Sequence, residues 1–119
     1  MCHCSDCHKI TASMFASNFS VNDSHLKHLR GQENLKTFSQ SHTVASHASM
    51  TNYFCSTCGT LMYRRGDRFP AMSVLRIGTV DDFSLFETKL KPGVEFFPKY
   101  RASWLPPIEG LPQTEDMGS

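Results

Sequence analysis

Residues 52–65 read NYFCSTCGTLMYRR, and this stretch decides the class of fold. Asn52, Tyr53 and Phe54 lead into a tight turn, and Leu61, Met62 and Tyr63 lead out of it. Aromatic and apolar residues on either side of a cysteine-bearing turn make a strand-turn-strand unit. In the turn, two residues separate Cys55 from Cys58, so both thiolates can face one metal ion while backbone amides point at the sulfurs. Gly59 supplies the conformational freedom needed to leave the turn. A single pair of this kind also fits buried or redox-active thiols, so its partners matter.

The remaining cysteines, Cys2, Cys4 and Cys7, lie in MCHCSDCHKI at residues 1–10. Cys4 and Cys7 repeat the two-residue spacing, and two such pairs make a tetrahedral zinc site with Zn–S distances near ~2.3 Å. Cys2 exceeds what that site needs. Three thiolates within one turn can instead hold a metal on one side and leave its fourth position open, as catalytic zinc requires. The cysteines alone leave both arrangements standing: one merged site, or two separate ones.

At 119 residues the chain is expected to form one domain, assigned to residues 1–113 with a tail at 114–119. Lys and Arg number 12 against 11 Asp and Glu, with no run of like charge, so nothing marks a nucleic-acid or membrane partner. No apolar run approaches the length of a membrane span, and residues 1–10 do not resemble a signal peptide. A cytoplasmic protein is the expectation. There, clustered cysteines in an odd number are metal ligands or catalytic thiols before they are disulfides.

Strands dominate the rest. Phe15, Phe19 and Val21 share a period-2 face over residues 13–21, and AMSVLRIGTV at 71–80 reads as a further strand. Leu26 and Leu29 with Gly31 predict one helical turn. TFSQSHTVASHASMT at 37–51 reads either as a flexible loop or as two exposed strands around a hairpin. Pro98 breaks the aromatic VEFFPKYRASWL, giving an edge strand or a bend, and the chain after Leu105 reads as irregular, fraying past Gln113.

CHCSDCHKITASMF, NYFCSTCGTLMYRRG, RIGTVDD and KYRASWL, in this order and spacing, resemble the glutathione-dependent formaldehyde-activating enzyme and centromere protein V family. The resemblance runs from Cys2 to about Gln113. It implies a mainly β fold, a zinc-containing β-tent of small antiparallel sheets with minor helix. It also implies a catalytic zinc on Cys2, Cys4 and Cys7, and half of a structural zinc on Cys55 and Cys58. In the family an upstream Cys-x-Cys-Gly strand completes the structural site. The expectation is therefore a member shortened at its N-terminus, with one or more core strands and the structural site in question. His8 stands where the family usually has arginine, and Ala12 where it usually has glycine.

The chemistry implied by the resemblance is addition of the glutathione thiol to formaldehyde, giving S-hydroxymethylglutathione, with zinc and glutathione as cofactor and co-substrate. A free thiol is mostly protonated at neutral pH, and metal coordination removes that proton. Glutathione carries two carboxylates, for which Lys9, Arg64, Arg65, Arg76 and Arg101 are the candidate cations; each is otherwise an ordinary surface charge. His3 and His8, beside the cysteines, are candidate acid–base groups. The side chain of His3 is expected to point away from its flanking cysteines. His25, His28, His42 and His47 lie in polar sequence and are expected to be exposed. Phe96, Phe97, Tyr100 and Trp104 read as core and lid, since no basic stripe accompanies them. Two functions follow: a zinc-dependent carbon–sulfur lyase or synthase acting on glutathione adducts, or a non-catalytic zinc-binding or glutathione-binding module. An open three-cysteine site favours the first, and one closed four-cysteine site the second.

Overall fold

The computed structural model describes residues 1–116. The last three residues of the expected tail lie outside the described residues. The chain packs as two compact units, one of Phe19–Thr79 and the other of Met1–Asn18 with the chain from Val80 onward. The fold is mainly β, as expected.

The first unit is built on the cysteine-bearing hairpin. β3 (Met50–Cys55) and β4 (Leu61–Gly66) pair antiparallel, with Met50 opposite Gly66 and Tyr53 opposite Tyr63. The turn closes through the Cys55 amide on the Thr60 carbonyl (2.9 Å) and the Gly59 amide on the Cys55 carbonyl (2.8 Å). Gly59 has φ of 77°, a left-handed conformation that costs glycine little. Opposite one another, the Tyr53 and Tyr63 rings stack at 4.5 Å, and the Arg65 guanidinium lies over both. Such a cross-strand pair contributes roughly 0.2–1 kcal/mol.

The Ser/Thr/His-rich stretch resolves to the hairpin alternative. β2 (Leu35–Gln40) pairs antiparallel with β3, Leu35 opposite Cys55 and Gln40 opposite Met50. Its central residues are exposed, which is why its sequence is polar. β5 (Met72–Arg76) pairs antiparallel with β4, and β1 (Asn18–Asn22) adds beyond it, giving the order β1-β5-β4-β3-β2. Ser73 of β5 is fully buried. Its hydroxyl donates to Asp23 Oδ1 (2.5 Å) and accepts from Arg65 Nε (3.1 Å).

Several local expectations need correction. The strand expected over 13–21 begins only at Asn18, because Ala12 and Ser13 cap a helix that the pattern did not announce. The strand expected through residue 80 stops at Arg76, where Ile77–Thr79 form a 3₁₀ turn held by Thr79 Oγ1 on the Arg76 carbonyl. The single expected helical turn is two 3₁₀ turns, Asp23–His25 and Gln32–Asn34, flanking the leucines. His28 is half-buried against the Tyr63 hydroxyl (3.1 Å), whereas His25, His42 and His47 are exposed as expected.

In the second unit, α1 (Ser5–Thr11) and the short α2 (Ser84–Glu87) accompany a two-stranded sheet, β6 (Glu95–Phe96) and β7 (Gln113–Thr114). The Asp82 carboxylate accepts from the Ser84 amide and hydroxyl at the start of α2. The small sheet is parallel, not antiparallel as the resemblance implied. Residues 97–112 loop back with four prolines between the strands, and a long connection is what a parallel pair requires. Cys2 adds to this sheet by single bridges to Phe96 on one side and Ala16 on the other. Cys2, Cys4, Cys7, Ala16 and Phe97 make the core here, with Phe96 packed against it. Tyr100 and Trp104, expected in core or lid, are largely exposed. Among the described residues, no helix is long and apolar enough to cross a membrane.

Candidate metal centre

One short segment, residues 2–7, carries the cysteine cluster. Cys2 is pinned by paired backbone bonds with Ala16, each 2.9 Å. Cys4 is the N-cap of α1, in extended conformation, and its sulfur accepts from the Cys7 amide at 3.4 Å. Cys7 lies in the first helical turn, where the Thr11 hydroxyl donates to its carbonyl (2.6 Å). The two-residue spacing is therefore a cap-to-third-residue relation, which places both sulfurs at the same end of α1. All three sulfurs lie within 4.8 Å of one another, and all three side chains are buried. Among the described residues this is the one group of three or more potential ligands.

Shared hydrogen bonds split the thiol acidities. Cys4 is held well below the usual thiol range by the Cys2 and Cys7 thiols that bond to it. The Cys2 thiol is pushed up to about 11, first by its bond with Cys4. Cys7 is pushed up by its bonds to Cys2 and Cys4 and by burial. The three thiols therefore titrate as a coupled group, with the first proton the easiest to lose. A bound cation would displace the remaining protons and compensate the buried thiolates. The donor set is three soft sulfurs, a set that suits zinc. The residues present fit such an ion.

His3, between Cys2 and Cys4, turns to Glu95. Its Nε2 donates to Glu95 Oε1 at 2.7 Å, and both side chains are buried. Arg101 grips the same carboxylate with Nε on Oε1 (2.8 Å) and Nη2 on Oε2 (3.1 Å), and Gln113 Nε2 donates to Oε2 (2.9 Å). The Arg101 bond, with help from Gln113 and His3, lowers the Glu95 carboxyl to about 2 against the opposing effect of burial. Sequence reasoning missed Glu95. Its signal was one acid among Val94, Phe96 and Phe97, where an unpaired carboxylate would be costly.

Cys55 and Cys58 belong to the other unit. The Thr57 amide donates to the Cys55 sulfur (3.4 Å), Cys58 bonds to the Thr60 hydroxyl (3.2 Å), and Cys58 is exposed. Hydrogen bonding to Thr60 lowers the Cys58 thiol. The candidate cations are scattered. Lys9 is exposed on α1, and Arg101 is engaged by Glu95. Arg64 is buried with Nε on Asn52 Oδ1 (2.6 Å), Arg65 serves Ser73, Asp23 and the two tyrosines, and Arg76 is buried.

A family model described as glutathione-dependent formaldehyde-activating enzyme matches residues 1–100. The chain belongs to that family. The match takes in every cysteine of this member of the glutathione-dependent formaldehyde-activating family, together with Glu95, and stops before Arg101 and β7. A search of curated proteins gave no match.

Proposed function

We propose that the chain is a zinc-dependent carbon–sulfur lyase or synthase that joins glutathione to formaldehyde, or acts on a related glutathione adduct. In that reaction a sulfur–carbon bond forms, the carbonyl π bond opens, and the thiol proton ends on the oxygen. The observation that carries this reading is the convergence of three buried sulfurs in a member of this family. Zinc, when bound, supplies positive charge that lowers the pKa of a thiol and polarises a carbonyl. Cys2, Cys4 and Cys7 hold it. Lys9, exposed two residues after Cys7, is the nearest candidate in sequence for a glutathione carboxylate. Arg64, Arg65, Arg76 and Arg101 have structural duties to leave before they bind one. Cys55 and Cys58 contribute half of a second zinc site. The working partners are a small-molecule thiol and an aldehyde, in the cytoplasm.

The test is the rate at which zinc-loaded protein brings glutathione and ¹³C-formaldehyde to equilibrium with S-hydroxymethylglutathione, followed by NMR exchange spectroscopy. Acceleration over the spontaneous reaction, lost in Cys7→Ser, is the expected result. Zinc-loaded protein that leaves the spontaneous rate unchanged sinks the enzyme reading and leaves a binding module.

A further inference from the structure

The metal cluster does not explain why a carboxylate lies buried beside its cysteine segment. Glu95 is 2 % exposed, and its two oxygens accept from Arg101 twice, from Gln113 and from His3. Burying charged groups is expensive, and apolar residues of similar volume are often at least as stable. Nor is the network needed to join the segments it links. The backbone already does this, through His3 N on the Phe96 carbonyl (3.1 Å) and Phe96 N on the Met1 carbonyl (2.8 Å). What the side chains add is orientation. His3 is fully buried, and its Nδ1 has no hydrogen-bond partner, so Glu95 provides the hydrogen bond that fixes the ring. A turn of the backbone at residue 3 changes the angle between Cys2 and Cys4, whose sulfurs must converge with that of Cys7.

We propose that Glu95 is a positioning residue for the metal cluster, acting through His3. Its carboxylate, itself clamped by Arg101 and Gln113, locks the imidazole between Cys2 and Cys4 and so presets the two sulfurs for the ion. Outer-shell partners of metal ligands are worth roughly 10–100-fold in metal affinity. Here the outer contact reaches the residue between two ligands instead of a ligand itself. The inference rests on the reading of Cys2, Cys4 and Cys7 as zinc ligands.

Zinc affinity of the full chain, measured by competition with a chromophoric chelator, tests it for wild type, Glu95→Gln, His3→Phe and the double variant. Cobalt(II) absorption reports the ligand geometry alongside. Glu95→Gln is expected to weaken zinc binding roughly 10–100-fold and to shift the cobalt bands, His3→Phe to do the same, and the double variant to be no weaker than the weaker single. A residue that only braces the fold would leave the zinc affinity of folded protein unchanged, or give losses that multiply. Either result overturns the proposal. Should Glu95→Gln not fold, Gln113→Ala takes its place, since it removes one bond and leaves the carboxylate. It is expected to weaken zinc binding in wild type and not in His3→Phe, and equal effects in both overturn the proposal. Equal zinc content in wild type and Cys7→Ser overturns the metal reading itself. Zinc held by wild type and equally by Glu95→Gln overturns only the role of Glu95.

Discussion

The amide of Cys7 donates to the sulfur of Cys4, so one thiol both caps a helix and belongs to the three-cysteine cluster. The two roles separate by substitution. Serine is a strong N-cap and a poor zinc ligand, while alanine is neither. Cys4→Ser and Cys4→Ala should lose zinc alike, as measured by metal content after gel filtration. In metal-free protein, urea unfolding should find Cys4→Ala less stable than Cys4→Ser by about 0.5–2 kcal/mol. Equal stabilities would remove the cap from the account of α1.

Replacing Cys55 and Cys58 by serine should leave the zinc held by Cys2, Cys4 and Cys7 in place. The cluster gathers its three sulfurs within its own unit. Zinc content and circular dichroism of the double variant check this. Complete loss of zinc from a chain that stays folded means that the two cysteine groups share one ion.

Acid should expose the Glu95 network. The Glu95 carboxyl is depressed to about 2 in the folded chain, with Arg101 the leading cause, against 4.5 ordinarily. A depressed carboxyl stabilises the fold fully above its unfolded value, and that contribution fades as pH falls toward the folded value. The stability advantage of metal-free wild type over Glu95→Gln should therefore be constant near neutrality and shrink between about pH 4.5 and pH 2. Denaturant unfolding across that range measures it, and an advantage independent of pH contradicts the charged pairing.

Ala12 ends α1 in the left-handed region, with φ of 51° and ψ of 40°. An L-residue there costs about 1–2 kcal/mol, whereas glycine costs the unfolded chain about 0.4–1 kcal/mol of added entropy. The folded-state term is the larger. Ala12→Gly should thus stabilise the chain, by about 0.5–1 kcal/mol, seen as a higher urea midpoint at unchanged slope. A lower midpoint would show that the cap is not strained in solution.

The cysteine spacings carried much of this structure because a thiolate pair two residues apart leaves few local geometries. The β3–β4 hairpin was legible on that ground, as was a cysteine group able to hold a metal. The helix between Ser5 and Thr11 was not, since a short segment with one cap and no repeated apolar face has no period to read. β2 was legible only as one of two alternatives, because an edge strand with an exposed centre has the composition of a loop. The partnership of His3 with Glu95 was invisible for another reason. Nothing local in the sequence encodes a contact across 92 positions. Arg64 and Arg76 are buried and Arg65 and Arg101 hydrogen-bond within the chain, which the residue type alone does not announce.

That same separation orders the events of folding. The β3–β4 hairpin closes over a few residues, while the cover of the cysteine segment, Glu95 to Phe97, arrives from the far side of the chain. Short closures precede long ones, since the entropy of closing a loop grows with its length and distant pairings are slow. The thiols of Cys2, Cys4 and Cys7 are synthesised before residues 95–97 and enclosed after the hairpin forms. Each new copy therefore passes through an interval in which they meet cellular oxidants and the free metal pool directly.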